Sequence, residues 1–310
     1  MGNNKIEFRK KRDFGDVINA TFTFLKAHLG HFFRMQLFIS LPFALIAVIF
    51  ISIFPARDLF VVSDFSKNTG QNIFHIIVYA IAGLTVPIFL VSGIYQYVDL
   101  YIKKGTNFLV TDLWKAILGK FWSMTKMYFL FSITFTLLLI VIGLFVALII
   151  SNSGINFVLI GLWYLFSGAV SLYFLVPLSF IFIIRSFEPE KTFWQIIKRS
   201  VYLVKGNWWS CFGTIIIMIF IQYILILIIQ IPFTIFGMAI TQANFMGVLS
   251  MSGIVRTITI IVTLFLPILA TIFQYFSLVE MKDAIGLNEQ VEKFGTVANN
   301  DENEDEKEDY

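Results

Sequence analysis

Charge is scarce in this chain. Asp, Glu, Lys and Arg make up 14% of its 310 residues, against roughly 25% in soluble domains. With 58% hydrophobic residues and a mean hydropathy of +0.82, that shortage excludes a soluble globular fold. Cysteine is nearly missing. Cys211 stands alone, so no internal disulfide can form, and a single thiol without a nearby His or basic partner reads as a small buried residue. Histidine is limited to His28, His31 and His75. None is set with acids at metal-ligand spacing, and His28 and His31, three residues apart, lack a third ligand. There is no HExxH, no phosphate-cradling glycine loop and no nucleophile elbow. Accordingly the sequence predicts no enzyme, no metal site and no cofactor.

A second shortage is local. No Asp, Glu, Lys or Arg occurs from Met35 to Ala56, from Asn68 to Val98, from Met127 to Ile184 or from Gly206 to Val255, and after Arg256 the apolar run resumes from Thr257 to Val279. A hydrocarbon core of about 30 Å takes roughly 20 apolar residues as helix, so the longer runs each hold two crossings. Six transmembrane helices are expected, near residues 35–54, 73–98, 128–150, 157–183, 211–234 and 257–279. The runs are continuous blocks without the alternation of a membrane barrel strand, and helices satisfy their backbone polar groups internally, as lipid demands. The fold class is therefore all-α and polytopic. With no ionisable group at mid-membrane, a proton-coupled pump is disfavoured.

Basic residues set the orientation. Seven of the 23 Lys and Arg precede the first span, from Lys5 to Arg34; five lie between spans two and three and five between spans four and five; Lys282, Lys293 and Lys307 follow the last. Only Arg57, Lys67 and Arg256 fall on the other side. A split of 20 against 3 places both termini in the cytoplasm. The first apolar run is followed by Phe54-Pro55-Ala56-Arg57, which lacks a small-x-small cleavage pattern, so the first span is expected to stay in the mature chain. Richness in Phe, Ile, Lys and Asn suggests an AT-rich bacterial genome, hence a bacterial cytoplasmic (inner) membrane.

The chain repeats itself. Pro87, Pro177 and Pro267 are ninety residues apart, each in the second member of a predicted hairpin. Upstream of each hairpin, a glycine, one polar residue and two aromatics recur as Gly30-His31-Phe32-Phe33, Gly119-Lys120-Phe121-Trp122 and Gly206-Asn207-Trp208-Trp209. Before each signature lies an amphipathic segment. Its apolar positions are Phe14, Val17, Ile18, Thr21, Phe24, Leu25, Leu29 and Phe32 in the first copy, Leu113, Trp114, Ile117, Leu118 and Phe121 in the second, and Phe193, Ile196, Ile197, Val201 and Val204 in the third. Asp13, Thr111 and Thr192 are the expected N-caps. Glycine should end or bend the lead-in helix, the aromatics should sit at the interface, and the proline should kink the second span. Because each unit crosses twice, the three are parallel copies about an axis along the membrane normal. The expected layout is a basic segment 1–12, a membrane domain 13–286 with repeats of about 13–105, 111–190 and 192–286, and an acidic, disordered tail 287–310 with seven acids after residue 300.

Gln96, Arg185 and Gln274, 89 residues apart near the cytoplasmic ends of the second spans, are candidates for a polar ring, with interface anchoring the plainer role. The basic segments alternate with membrane anchors, so anionic headgroups or a protein partner are expected as ligands, not nucleic acid. The repeated unit, closed by Tyr275-Phe276-Ser277-Leu278-Val279-Glu280-Met281-Lys282, resembles the membrane domain attached to some glycerophosphodiester phosphodiesterases and related uncharacterised bacterial six-helix proteins, over residues 10–285. The catalytic barrel of such fusions, with its His-Arg and Glu-x-Asp residues, is absent, so the resemblance implies a membrane module without the enzymatic activity. The function expected is a non-enzymatic structural or accessory membrane protein whose cytoplasmic amphipathic helices engage lipid or a partner. The alternative is a transporter of lipid or small molecules with a cavity on the pseudo-threefold axis.

Overall fold

A computed structural model describes residues 7–53, 88–153, 157–240 and 245–284. Residues 54–87, with Pro87 and the expected loop after the first span, and the tail beyond residue 284 lie outside these. Nine helices make up the described residues, with no strand among them: α1 (Phe14–Ile53), α2 (described over 88–104), α3 (Val110–Ser153), α4 (Phe157–Leu178), α5 (Ile181–Phe187), α6 (Phe193–Val204), α7 (Trp208–Ile240), α8 (Phe245–Thr263) and α9 (Phe265–Asp283). Among the described residues, three stretches are long and apolar enough to cross a membrane: Leu165–Phe187, Trp208–Ala239 and Ser252–Asp283.

At the centre stands α9, buried at every position from Leu269 to Val279. A helix apolar on all sides belongs inside a bundle, and α1, α6 and α7 pack around it. The segment ahead of α1, expected as a separate basic stretch, is folded onto the same helix from Glu7 to Arg12. Phe8 stacks on Phe273 with ring centroids 4.6 Å apart. The Arg12 amide donates to Ser277 Oγ at 2.8 Å, and the Ser277 hydroxyl donates back to the Arg12 carbonyl at 2.9 Å.

The amphipathic segments bury their apolar faces within the bundle. Val17, Thr21, Phe24 and Phe32 of α1, Leu113 and Ile117 of α3, and Ile196 and Val204 of α6 are all buried. Leu29, Leu118 and Val201, also expected inward, point outward instead, because the buried face is narrower than the apolar stripe. The aromatic pairs divide in the same way each time. Phe32 is buried while Phe33 is exposed, and Phe121 and Trp208 pack on the core while Trp122 and Trp209 are more than two-thirds exposed.

The three glycines do not act alike. Gly206, with φ +86°, turns the chain between α6 and α7, and the amides of Lys205 and Asn207 close the end of α6 on the carbonyls of Val201 and Val204. This is the left-handed position that glycine serves at helix C-termini. Gly30 and Gly119 instead sit inside α1 and α3, which run unbroken from lead-in to apolar segment. Their neighbours favour helix, so the cost of an internal glycine, about 1 kcal/mol relative to Ala, is tolerated. Helix starts differ too. Thr192 caps α6, its amide donating to Gln195 Oε1 at 2.9 Å. Thr111 lies inside α3, which starts a residue earlier, and Asp112 Oδ2 takes the Leu109 amide at 3.2 Å. An acid that reaches the orphan amide sets the start more firmly than a threonine hydroxyl.

The two repeat prolines among the described residues, Pro177 and Pro267, stand at breaks between helices, whereas Pro42 and Pro232 lie inside α1 and α7. Pro177 lies in the last turn of α4, before the turn at Ser179–Phe180 that separates it from α5. Pro267 lies in the first turn of α9, just past the break at Leu264; there its missing N–H is one that no helix would have used. The Ser200 hydroxyl of α6 donates to the Pro177 carbonyl. A lead-in helix is thus bonded to a carbonyl at the break, one that also takes the Phe180 amide at 3.0 Å.

Candidate functional site

Three helix ends meet at the face of the bundle that carries the basic lead-in helices. The last turns of α2 bring Asp99, Ile102 and Lys103; α5 and the loop after it bring Phe187, Glu188 and Lys191; α9 brings Tyr275, Phe276, Val279 and Asp283. With Arg9 and with Arg199 of α6 they line a cleft of about 760 Å³.

Its acids are bound in a network. Asp99 accepts from Lys103 Nζ at 2.9 Å and lies 3.6 Å from Lys120 Nζ, which also donates to the Ser186 carbonyl at 3.1 Å. Glu188 Oε1 accepts from the Tyr275 hydroxyl at 2.7 Å and from Arg199 Nε at 3.3 Å, and its Oε2 is 3.4 Å from Lys191 Nζ. The Arg199 guanidinium then grips Asp283 with both terminal nitrogens, Nη1 to Oδ1 at 3.1 Å and Nη2 to Oδ2. This fork raises the Arg199 pKa above the ordinary arginine value, first through the hydrogen bond to Asp283 and then through the charge of Glu188, with burial working the other way. A planar guanidinium is the side chain suited to hold two carboxylates from two helices.

Gln96, Arg185 and Gln274 face different neighbours. Gln96 Nε2 donates to Ser186 Oγ at 3.2 Å, joining α2 to α5. Arg185 donates from Nε to Ser123 Oγ at 2.7 Å and from Nη1 to the carbonyls of Pro189 and Lys191 at 2.8 and 3.0 Å. It therefore shapes the loop that presents Glu188. Gln274 turns to α7, accepting from Thr214 at 3.3 Å and donating to Ser210 Oγ at 3.4 Å. Its other neighbour there is Cys211, with Nε2 3.7 Å from the sulfur. Convergence occurs further along, at Asp99 and Glu188 one turn on and at Asp283 nine residues beyond Gln274. Asp99 and Glu188 share the 89-residue spacing of Gln96 and Arg185, three positions on, and that was the available signal. Asp283 breaks the spacing and had none.

The cleft joins both signs of charge to an apolar floor of Ile102, Phe187, Phe276 and Val279. Each carboxylate in it has a cationic partner. Among the described residues, no group of three His, Cys, Asp or Glu is placed to hold a metal ion. The arrangement suits recognition of a ligand or segment that carries charge and an apolar part.

Described residues that are all-helical, with three apolar stretches of this length among them, fit a membrane protein. No family model matches it, and no curated protein or solved structure is significantly similar to it.

Proposed function

We propose that the chain is a non-enzymatic integral membrane protein, six crossings in three parallel repeats, acting as a structural or accessory module whose cytoplasmic helices engage anionic headgroups and a protein partner. One observation carries this: the lead-in helices bury one face in the bundle and turn an aromatic and basic face outward. Trp122, Trp194 and Trp209 are 67–78% exposed, close in sequence to the exposed Lys115, Lys126, Lys198 and Lys205. Indole rings favour the interface and ammonium groups favour anionic lipid, so one surface meets both demands. The recurrence of one inward and one outward ring after Gly30, Gly119 and Gly206 supports the repeat, and the membrane module named by resemblance is the family this reading draws on.

The transport alternative needs a path along the axis. Because α9 fills the centre of the bundle with buried side chains over the eleven positions from Leu269 to Val279, the accessory role is favoured. The test is direct. In vesicles, shallow brominated phosphatidylglycerol should quench the tryptophans more than brominated phosphatidylcholine, and K26Q/K115Q/K198Q should remove the difference. Equal quenching by both lipids in the unmodified protein overturns headgroup engagement. Single-cysteine labelling on a Cys211→Ser background tests the crossings: Asn152 should react from the side opposite to Lys104 and Lys191.

A further inference from the structure

At the far end of α7 and α8 is a second polar site. Tyr223, Gln230 and Thr234 of α7 and Arg256 of α8 line a groove of about 350 Å³ together with Leu227, Ile231 and Ile235. Arg256 is exposed and has no hydrogen bond or ion pair among the described residues. It is also the lone charge between Lys205 and Glu280. An arginine on an apolar helix must meet its charge somewhere, through water, a protein acid or a headgroup.

Depth narrows the choice. Arg256 is 27 residues from Asp283, at most roughly 40 Å along α8 and α9. Along α7, Gln230 is 21 residues beyond Trp209, about 32 Å. A bilayer measures about 40–45 Å across its headgroups, so with Trp209 and Asp283 at one surface the groove lies at the opposite headgroup level. Its chemistry narrows the choice further. The lining offers a guanidinium, the Gln230 amide and the Tyr223 hydroxyl as donors, and among the described residues it contains no carboxylate to receive an amine. Leu227, Ile231 and Ile235, all exposed, continue as an apolar track on the same helix.

From this we infer that the groove is a phospholipid site in the leaflet opposite the charged cleft. Arg256 takes the lipid phosphate, Gln230 and Tyr223 donate to its remaining oxygens or to headgroup hydroxyls, and an acyl chain lies along Leu227 and Ile231. A headgroup of phosphate and hydroxyls, as in phosphatidylglycerol, fits better than one ending in an amine. The inference rests on the membrane-spanning reading above.

Native mass spectrometry of the full chain from nanodiscs of phosphatidylcholine and phosphatidylglycerol tests it. The unmodified protein should retain one phosphatidylglycerol that R256Q holds roughly tenfold more weakly, the scale of a lost charge-assisted hydrogen bond. R256K should keep part of the binding, and Q230L should lose a smaller share. K26Q/K115Q/K198Q should leave this lipid in place. Equal retention by the unmodified protein and R256Q overturns the site. Displacement by inorganic phosphate at millimolar concentration overturns the lipid assignment in favour of a free phosphate. An alkaline carbonate wash separates the two readings: protein released from vesicles overturns the spanning reading itself, whereas protein that stays embedded but fails to retain the lipid overturns only the site.

Discussion

Three glycines in the same sequence signature respond differently to one substitution. Gly30 and Gly119 are helical with open space where a Cβ would stand, so G30A and G119A should each raise stability by about 0.5–1 kcal/mol. Gly206, at φ +86°, should lose about 1–2 kcal/mol as alanine, the cost of a left-handed conformation. Thermal unfolding in detergent reads both signs. The histidines at the start of the same signature make a pH prediction. His28 Nε2 lies 2.7 Å from the Tyr101 hydroxyl and His31 Nδ1 2.9 Å from that of Tyr97. Both titrate below the ordinary histidine value: His28 through burial and then the charge of His31; His31 through burial, opposed by a bond at the Phe108 backbone and reinforced by Arg34. The folded chain therefore binds fewer protons than the unfolded one. Stability is complete above about pH 6.5 and declines as pH falls through that value. H28Q/H31Q should flatten the decline in melts at pH 7.5 and 5.5.

Among the elements, α6 is the one whose attachment a single bond can test. Its buried face, its start at Thr192 and its bond from Ser200 to the Pro177 carbonyl all place it against the α4–α5 break. Ser200 is buried, and S200A leaves that carbonyl with the Phe180 amide alone, for a loss of about 0.5–1.5 kcal/mol. Helix type and the apolar runs were legible in the sequence because continuous apolar blocks admit one secondary structure in lipid. The inward positions Val17, Phe24, Leu113, Ile117 and Ile196 were legible from helical spacing. Leu29, Leu118 and Val201 were not, because spacing gives a stripe and only packing gives its width. The break at Gly206 was legible and the continuity at Gly30 and Gly119 was not: glycine permits a turn without requiring one.

For the whole molecule, the charged cleft depends on helices brought together from distant parts of the chain. Its acids follow the apolar runs, where the sequence shows only the polar edge of a span, and Arg199 reaches Asp283 across 84 residues. Replacing Arg199 with Met should release Asp283 and leave Glu188 to Tyr275 and Lys191, lowering stability by roughly 1–3 kcal/mol, the range for hydrogen bonds to charged groups. R199K should restore only part, since an ammonium cannot hold two carboxylates in one plane. The loss should be larger at low salt than at high salt, as for any partly exposed ion pair.

The clasp of Phe8 on Phe273 and of Arg12 on Ser277 sets an order of events. Residues 7–12 leave the ribosome long before their seat on α9 has been made, so they wait through the synthesis of all the helices between. A chain halted before Ser277 carries this segment with its apolar side uncovered, a state open to quality-control proteases. Protease sensitivity at Glu7–Arg12 should therefore report whether the last helix has been delivered.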